Sequence, residues 1–197
     1  MDLLTDIAQN GIESGADLVE LEVSETLTSS GGGEFRFTIK DNGKGMSAAE
    51  LKLAQDPFIT DGVKHPNRKV GLGLPFLIQT AEQSGGGWNI DSEKRPEASD
   101  ALPKAALCGT TVSAWFDLGN VDTPPIGDIP GTFRTSLLFE GPSEMVIRRS
   151  RQAPQGRFNY EVRKTELVDA LGGIEDVQSI VLLDRYLRSL EEDEQNE

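Results

Sequence analysis

The sequence predicts an α+β sandwich, in which helices pack on one sheet. Two observations carry this prediction: runs with the strand period of two and runs with the helical period both occur along the chain, and turn-rich segments separate them. The chain has 197 residues and 37% hydrophobic content, which is enough to bury a core of normal size. We therefore expect a folded protein of one domain, with or without a short appendage.

The first forty residues predict a helix followed by a β-hairpin. Apolar residues in 2–14 recur at spacings of three and four, and Gly15 stands where such a helix would end. Residues 18–26 and 35–39 alternate between apolar and polar, and the turn SSGGGE lies between them. Because the second predicted strand runs directly into DNGKGM, it would deliver Asp41 to a glycine-rich loop.

The middle of the chain predicts two helices and two strands. Ser47 is a suitable N-cap for a short helix that Pro57 ends, and the polar stretch FITDGVKHPNRK that follows is interpreted as a mobile loop. A helix is expected over 74–84, since triple glycine follows it. Strands are expected over 88–92 and in TTVSAWFDL.

Residues 121–131, which are rich in proline and glycine, predict a boundary between a domain over 1–120 and a small α+β extension over 132–197. In the extension, FRTSLLFE and EMVIRRS are interpreted as strands, helices are expected over 164–170 and 177–190, and the acidic end is expected to be solvated. An extension of this size is marginally stable alone, so we expect it to pack on the first domain.

The charge balance limits the classes of partner. The chain has 19 basic and 33 acidic residues, a net charge of −14, which disfavours binding to nucleic acids and to anionic membranes. No apolar stretch is long enough to span a bilayer, and the acidic start does not match a secretory signal, so we expect a cytoplasmic protein. A single cysteine, Cys108, and a single histidine, His65, exclude a Cys/His zinc cluster.

The first candidate for chemistry is a polar pair on the first predicted helix. Asp6 and Asn10 are four residues apart, so they project from the same helix face. Carboxylate and carboxamide oxygens suit Mg²⁺, which keeps several waters and takes few protein ligands. The alternative is that these residues form the solvated side of an amphipathic helix.

The second candidate is the loop DNGKGM, residues 41–46. A buried Asp41 carboxylate could accept a hydrogen bond from an exocyclic amine such as that of adenine. Gly43 and Gly45 would allow the backbone, as far as Met46, to approach a flat ligand. An ordinary Asn-Gly turn explains the same hexapeptide.

The third candidate is the segment KVGLGLP. Its residues Gly71, Leu72, Gly73 and Leu74 open directly into a predicted helix, whose free amides and dipole favour an anion, and Lys69 adds positive charge. The spacing matches neither the P-loop nor the dinucleotide-binding fingerprint, so taken alone it is weak evidence for a phosphate site.

Together and in this order, the motifs resemble those of the GHKL family of ATP-binding domains. DIAQNGIESGAD resembles the family's magnesium box, DNGKGM its adenine box, DPFIT its short phenylalanine box, GLGL its phosphate box and GTT its final Gly-Thr box. The resemblance covers residues 1 to about 118. It implies the Bergerat fold, a two-layer α/β sandwich with a mixed, largely antiparallel sheet.

The resemblance also implies roles for individual residues. Asn10 would bind Mg²⁺ that bridges the phosphates, Asp41 would accept from the adenine amine, and residues 60–69 would be a lid that closes on nucleotide. The other nucleotide contacts would come from Gly43, Gly45, Met46, Lys69, Gly71, Leu72, Gly73, Leu74 and Thr110.

Two functions agree with this resemblance. The first is a Mg·ATP-binding protein that hydrolyses ATP slowly or transfers its phosphoryl group to a separate protein, with Asp6 as the only candidate base. Asp6 is one methylene shorter than the glutamate usual in the ATPase branch, which favours the alternative, a nucleotide-gated protein-interaction module with little or no catalysis. ATP or ADP is the expected ligand in both cases. The protein partner is not identified, a homodimer is left open, and a DNA-processing subunit is disfavoured by the charge.

A basic cluster lies outside these motifs. Arg148, Arg149 and Arg151 follow one another closely in EMVIRRSR. We expect them on a solvated strand edge, and the alternative is a docking patch for an acidic partner or for the chain's own acidic end.

Overall fold

The structure is a computed structural model and describes residues 2–56, 73–96 and 108–192. The bounds of its helices and strands follow in chain order. They are α1 (Asp2–Glu13), β1 (Leu18–Leu27), β2 (Gly33–Asp41), α2 (Ala48–Ala54), α3 (Gly73–Gln83), β3 (Gly87–Glu93), β4 (Gly109–Asp117), α4 (Ile129–Leu138), β5 (Glu144–Ala153), β6 (Gly156–Arg163), α5 (Lys164–Leu171) and α6 (Val177–Glu192).

The six strands found in the described ranges form one sheet in the order β3-β4-β2-β1-β5-β6. Only β1 and β5 pair in parallel, and the other neighbours are antiparallel. The predicted hairpin is present, with Val23 opposite Phe37 and Val19 opposite Asp41. The α+β fold with a mixed, largely antiparallel sheet is therefore confirmed.

The core lies between one face of the sheet and the helices that cover it. Val19, Leu21 and Val23 alternate along β1 and are completely buried, as the period of two predicts. Each large apolar side chain buried in this way stabilises the fold by about 1.5–3 kcal/mol. The helices contribute Leu4, Ile7, Leu77, Ala81, Phe133, Leu137, Leu183 and Leu187 to the same cluster.

The prediction that FRTSLLFE is a strand is wrong, because its first six residues, 133–138, belong to α4. Asp128 caps the helix, and its side chain accepts a hydrogen bond from the Gly131 amide at 3.2 Å. Phe133 and Leu137, four residues apart, face the core together and are completely buried. The apolar residues therefore follow the helical period and not the strand period.

The segment after the predicted boundary extends the same sheet. β5 pairs with β1 in parallel, with Ile147 beside Leu21, and β6 pairs with β5 in a hairpin. The strand β6 was not among the predicted elements, whereas α5 and α6 lie where helices were predicted. The division into 1–120, 121–131 and 132–197 stays a prediction.

The expectation of a strand edge is wrong for the basic cluster, because β5 lies between β1 and β6. Arg149 is not solvated either, since its side chain is only 1% exposed. Its Nη2 donates to Glu25 at 2.8 Å and its Nε to Glu191, on α6, at 3.2 Å. The Tyr160 hydroxyl also donates to Glu191, at 2.7 Å. Glu191 is the first residue of the acidic end, so its pair with Arg149 agrees with the alternative interpretation of the basic cluster. Arg148 is partly exposed and pairs with acidic neighbours on the sheet.

Candidate functional site

Asp41, at the end of β2, is a buried carboxylate and 7% exposed. Its Oδ1 accepts hydrogen bonds of 2.9 Å from the Gly43 amide and from the Ser14 hydroxyl. Burial raises the pKa of the Asp41 carboxyl above its ordinary value, although hydrogen bonds from Gly43, Ser14 and the Thr110 backbone act in the opposite direction. The Asp41 side chain is thus held in one orientation, in a buried environment with little access to water.

The loop that follows Asp41 is attached to its surroundings at both ends. The Asn42 side-chain oxygen accepts from the Asp17 and Leu18 amides at 2.9 and 3.0 Å. The Met46 amide donates to the Ser92 hydroxyl at 2.8 Å. Side chains and backbone from distant segments therefore hold this loop in place.

Two glycines in the loop are required by their surroundings. A methyl group on Gly43 would overlap the Ser14 hydroxyl and lie 2.8 Å from Asp41 Oδ1. Gly45 has a φ of 60°, and a methyl group there would overlap the carbonyl oxygen of Glu93. The backbone therefore packs closely against its neighbours at both positions.

Thr110 lies beside Asp41, since the two residues are partners in the register of β4 and β2. Its hydroxyl is 2.9 Å from the Ser92 hydroxyl, and Ser92 in turn contacts Met46. At the preceding Gly109 the φ is 134°, and a methyl group would overlap the Asp41 carbonyl oxygen. The final Gly-Thr box thus forms one side of the surroundings of Asp41.

Helix α1 packs against Asp41 and against the start of α3. A methyl group on Gly11 would lie 3.5 Å from the Asp41 Cβ. A methyl group on Gly73, the first residue of α3, would lie 3.5 Å from Asn10 Nδ2 and 3.9 Å from Asp6 Cβ. The exposed side chains of Asp6 and Asn10 therefore lie next to the N-terminus of α3.

The structure brings together most of the predicted site residues that it describes. Leu74 is half-buried in the first turn of α3, and Met46 is half-buried at the end of the loop. The predicted Lys69, Gly71 and Leu72, together with the predicted lid over 60–69, lie outside the described residues.

Sequence reasoning missed three residues of the site. Ser14 contacts Asp41 directly, Gly11 allows α1 to approach Asp41, and Asn42 holds the loop to the start of β1. The motif DIAQNGIESGAD contains the first two, but no spacing rule predicts a contact between the end of a helix and the end of a strand. The Asn42 contacts had a weak signal, since asparagine often binds backbone amides in turns.

The donor set next to α3 fits magnesium. Asn10 offers a hard oxygen in an exposed position, and Mg²⁺ needs only one or two protein ligands when phosphates and waters complete its shell. No group of three or more histidine, cysteine or acidic residues that could hold a metal occurs in the described part of the chain. The residues therefore suit a metal that arrives with a ligand more than a metal held by the protein alone.

The comparison with protein families agrees with this arrangement. The family model described as "Histidine kinase-, DNA gyrase B-, and HSP90-like ATPase" matches residues 1–120. The chain belongs to this family. The resemblance to GHKL ATP-binding domains is thereby confirmed, and nucleotide binding is the general property that the family implies.

Two curated relatives of this GHKL chain are DNA mismatch repair proteins MutL. The protein of Aeromonas hydrophila subsp. hydrophila is 28% identical over 127 residues, which is 56% of this chain and 19% of that protein. The protein of Rhizobium etli is 25% identical over 167 residues, which is 81% of this chain and 24% of that protein. The chain thus spans about a fifth to a quarter of the curated relatives it matches.

A solved structure supports the fold. It is described as the N-terminal domain of a DNA repair protein, and it matches with a TM-score of 0.51 and 12% identity. The match covers 90% of this chain and 57% of the other. In the residues of this GHKL chain that the structure describes, no helix has the length and apolar character needed to cross a membrane.

Proposed function

We propose that the protein binds Mg·ATP between α1, the Asp41 loop and the N-terminus of α3. The observation that carries this proposal is the position of α1. One of its residues, Gly11, packs against Asp41, while the neighbouring Asn10 lies beside Gly73. A single ligand with a base at one end and phosphates at the other would contact both places.

Asp41 would recognise the adenine. Its Oδ1 is already engaged by Gly43 and Ser14, so the carboxylate is oriented before a ligand arrives. An exocyclic amine would donate to this carboxylate. Gly43 and Gly45, which let the loop pack against Ser14 and Glu93, would shape the base pocket, with Met46 and Thr110 at its borders.

The start of α3 would hold the phosphates. The amides of Gly73 and Leu74 belong to the first turn, which has free donors and the positive end of the helix dipole. Gly71, Leu72 and Lys69 precede this turn in the sequence and would contribute further donors and charge. Asn10 would hold Mg²⁺, whose role is to neutralise phosphate charge.

Slow hydrolysis, or phosphoryl transfer to a separate protein, would depend on Asp6. It lies one turn before Asn10 on the same exposed side of α1 and would be the residue that orients a water or a hydroxyl. Catalysis would otherwise consist of positioning and electrostatic stabilisation by the helix amides.

A nucleotide-gated association with a protein is the second candidate function. It is supported by the short side chain of Asp6 and by the names of the two curated relatives, which are mismatch repair proteins. The net charge of −14 disfavours direct contact with DNA. A partner that itself acts on DNA would agree with both observations.

Calorimetric titration with ATP and ADP, with and without Mg²⁺, tests the binding site. We expect Asn10→Ala to abolish most of the gain in ATP affinity that Mg²⁺ produces. Asn159→Ala, a matched change at an exposed position of β6, should leave that gain unchanged. Equal affinities of the wild type with and without Mg²⁺ would contradict the metal assignment.

Steady-state turnover separates the two candidate functions. A Mg²⁺-dependent rate that is lost in Asp6→Asn, while ATP binding is retained, supports an enzyme. ATP binding without turnover in the wild type supports the nucleotide-gated module. A rate that persists in Asp6→Asn would show that Asp6 is not the base.

A further inference from the structure

An open cavity of about 450 Å³, lined about equally by polar and apolar groups, lies between α1 and α4. Thr5 and Asp6 line it from α1, while Thr132 and Arg134 line it from α4, with Asp128 at the start of that helix. None of the sequence motifs includes the α4 residues. The cavity therefore joins a candidate site residue to a part of the chain that the motifs leave unassigned.

Asp6 places this cavity next to the proposed phosphate site. The same residue borders the N-terminus of α3, where a methyl group on Gly73 would lie 3.9 Å from its Cβ. A nucleotide whose phosphates lie at the start of α3 would extend its terminal phosphate toward Asp6. That phosphate would then be at the opening of the cavity.

Arg134 is the only positively charged residue among the described residues that line the cavity. Its Nη1 donates to Asp184 Oδ1 at 2.6 Å, while the other oxygen of Asp184 accepts from Arg188 at 2.9 Å. One carboxylate therefore anchors two arginines. The side chain of Arg134 is 34% exposed, and a guanidinium has five N–H donors, so it can take a second anion while it keeps this contact.

We infer that Arg134 contacts the terminal phosphate of ATP and makes the site prefer a triphosphate to a diphosphate. The inference rests on the proposed function. A terminal phosphate beside the Asp6 carboxylate, on a chain with a net charge of −14, is in an unfavourable field. Arg134, the cation that lines the same cavity as Asp6, offsets that repulsion and matches the geometry of phosphate oxygens.

Titrations of the full chain with Mg·ATP and Mg·ADP test this role. We expect Arg134→Ala to lower the affinity for ATP about tenfold, the effect of one charge-assisted hydrogen bond, and to leave the affinity for ADP within about twofold. Arg134→Lys should keep part of the preference for ATP. If the Arg134→Ala variant does not fold, the same titrations use Arg134→Gln. This variant keeps a hydrogen-bond donor for Asp184.

Arg185→Ala is the matched control. Arg185 is an exposed residue of α6 that carries the same charge, and it is not among the described residues that line the cavity. Its removal should leave the ratio of ATP to ADP affinity unchanged. A ratio that falls equally in both variants would assign the effect to the change in net charge and overturn the inference.

Two further outcomes separate a failure of this inference from a failure of the proposed function. If the wild type binds ATP and ADP and the ratio is the same in Arg134→Ala, the inference is wrong and the proposed function stands. If the wild type binds neither nucleotide, the proposed function is wrong and the inference falls with it.

Discussion

The Ser14 hydroxyl lies 2.9 Å from Asp41 Oδ1, although the two residues are 27 positions apart in the chain. Ser14 follows the end of α1, and Asp41 is the last residue of β2. The Gly43 amide donates to the same oxygen, so helix, strand and loop all determine how this carboxylate is oriented. The orientation of the buried carboxylate is therefore a property of the tertiary structure.

This relationship predicts a strong effect of Asp41→Asn on nucleotide binding. Because the Gly43 amide requires an acceptor, the oxygen of the new carboxamide should take the Oδ1 position, and its NH₂ group should take the position of Oδ2. Two donors would then face each other if an adenine amine approaches. We expect the affinities for ATP and ADP to fall at least about tenfold by calorimetry. The affinity for pyrophosphate, which has no base, should be retained, and an unchanged ATP affinity would contradict the base-pocket assignment.

The raised pKa of Asp41 predicts a pH dependence of stability. Because burial favours the neutral carboxyl, the folded state binds this proton more tightly than the unfolded state does. The free energy of unfolding of the wild type, relative to Asp41→Asn, should therefore decrease as the pH rises from 3.8 through the raised pKa. Urea denaturation of both proteins over a pH series measures this difference. The contributions of the other titrating groups to the pH dependence are the same in both proteins and therefore cancel. A difference that stays constant or increases with pH would show that burial does not determine the direction of the pKa shift of Asp41.

Gly43→Ala should destabilise the fold as well as the site. The added methyl group would overlap the Ser14 hydroxyl and crowd the Asp41 carboxylate, so the loop or the end of α1 must shift. We expect a loss of about 1–3 kcal/mol in the free energy of unfolding, measured by urea denaturation. Gly156→Ala is the control, since no atom lies within 4 Å of the position of its methyl group, and its effect should be within about 1 kcal/mol. Equal effects of the two changes would refute the close packing at Gly43.

Arg149→Ala should be far more damaging than Arg148→Ala. The first change leaves Glu191 without its cation and Glu25 with Arg151 alone, at 3.5 Å. Removal of one partner of a buried ion pair costs about 3–5 kcal/mol in comparable cases. The Arg148 side chain is 40% exposed, and its ion pairs should contribute less than about 1 kcal/mol. Chemical denaturation of both variants tests the difference. Similar losses for the two neighbours would mean that burial of Arg149 has no energetic consequence.

Local patterns predicted much of the fold and of the candidate site. Val19, Leu21 and Val23 alternate strictly, so the sequence predicts β1, and the motif order predicts that Asn10, Asp41 and Thr110 share one site. The helical character of FRTSLLFE has no clear local signal, because the N-cap of α4, Asp128, lies in a segment whose prolines and glycines predict a boundary. The contact of Ser14 with Asp41 and the cavity that Arg134 and Asp6 both line have no counterpart in any local pattern.

By itself, the sequence determined the family, the motifs and the residues that offer carboxylates, amides and glycines, because these depend on residue order and on short-range periodicity. Only the tertiary structure decided that β5 lies parallel to β1, that Arg149 is buried and that α4 lines a cavity with Asp6. These features depend on segments far apart in the chain, whose approach is governed by packing of the whole core and not by the order of neighbouring residues.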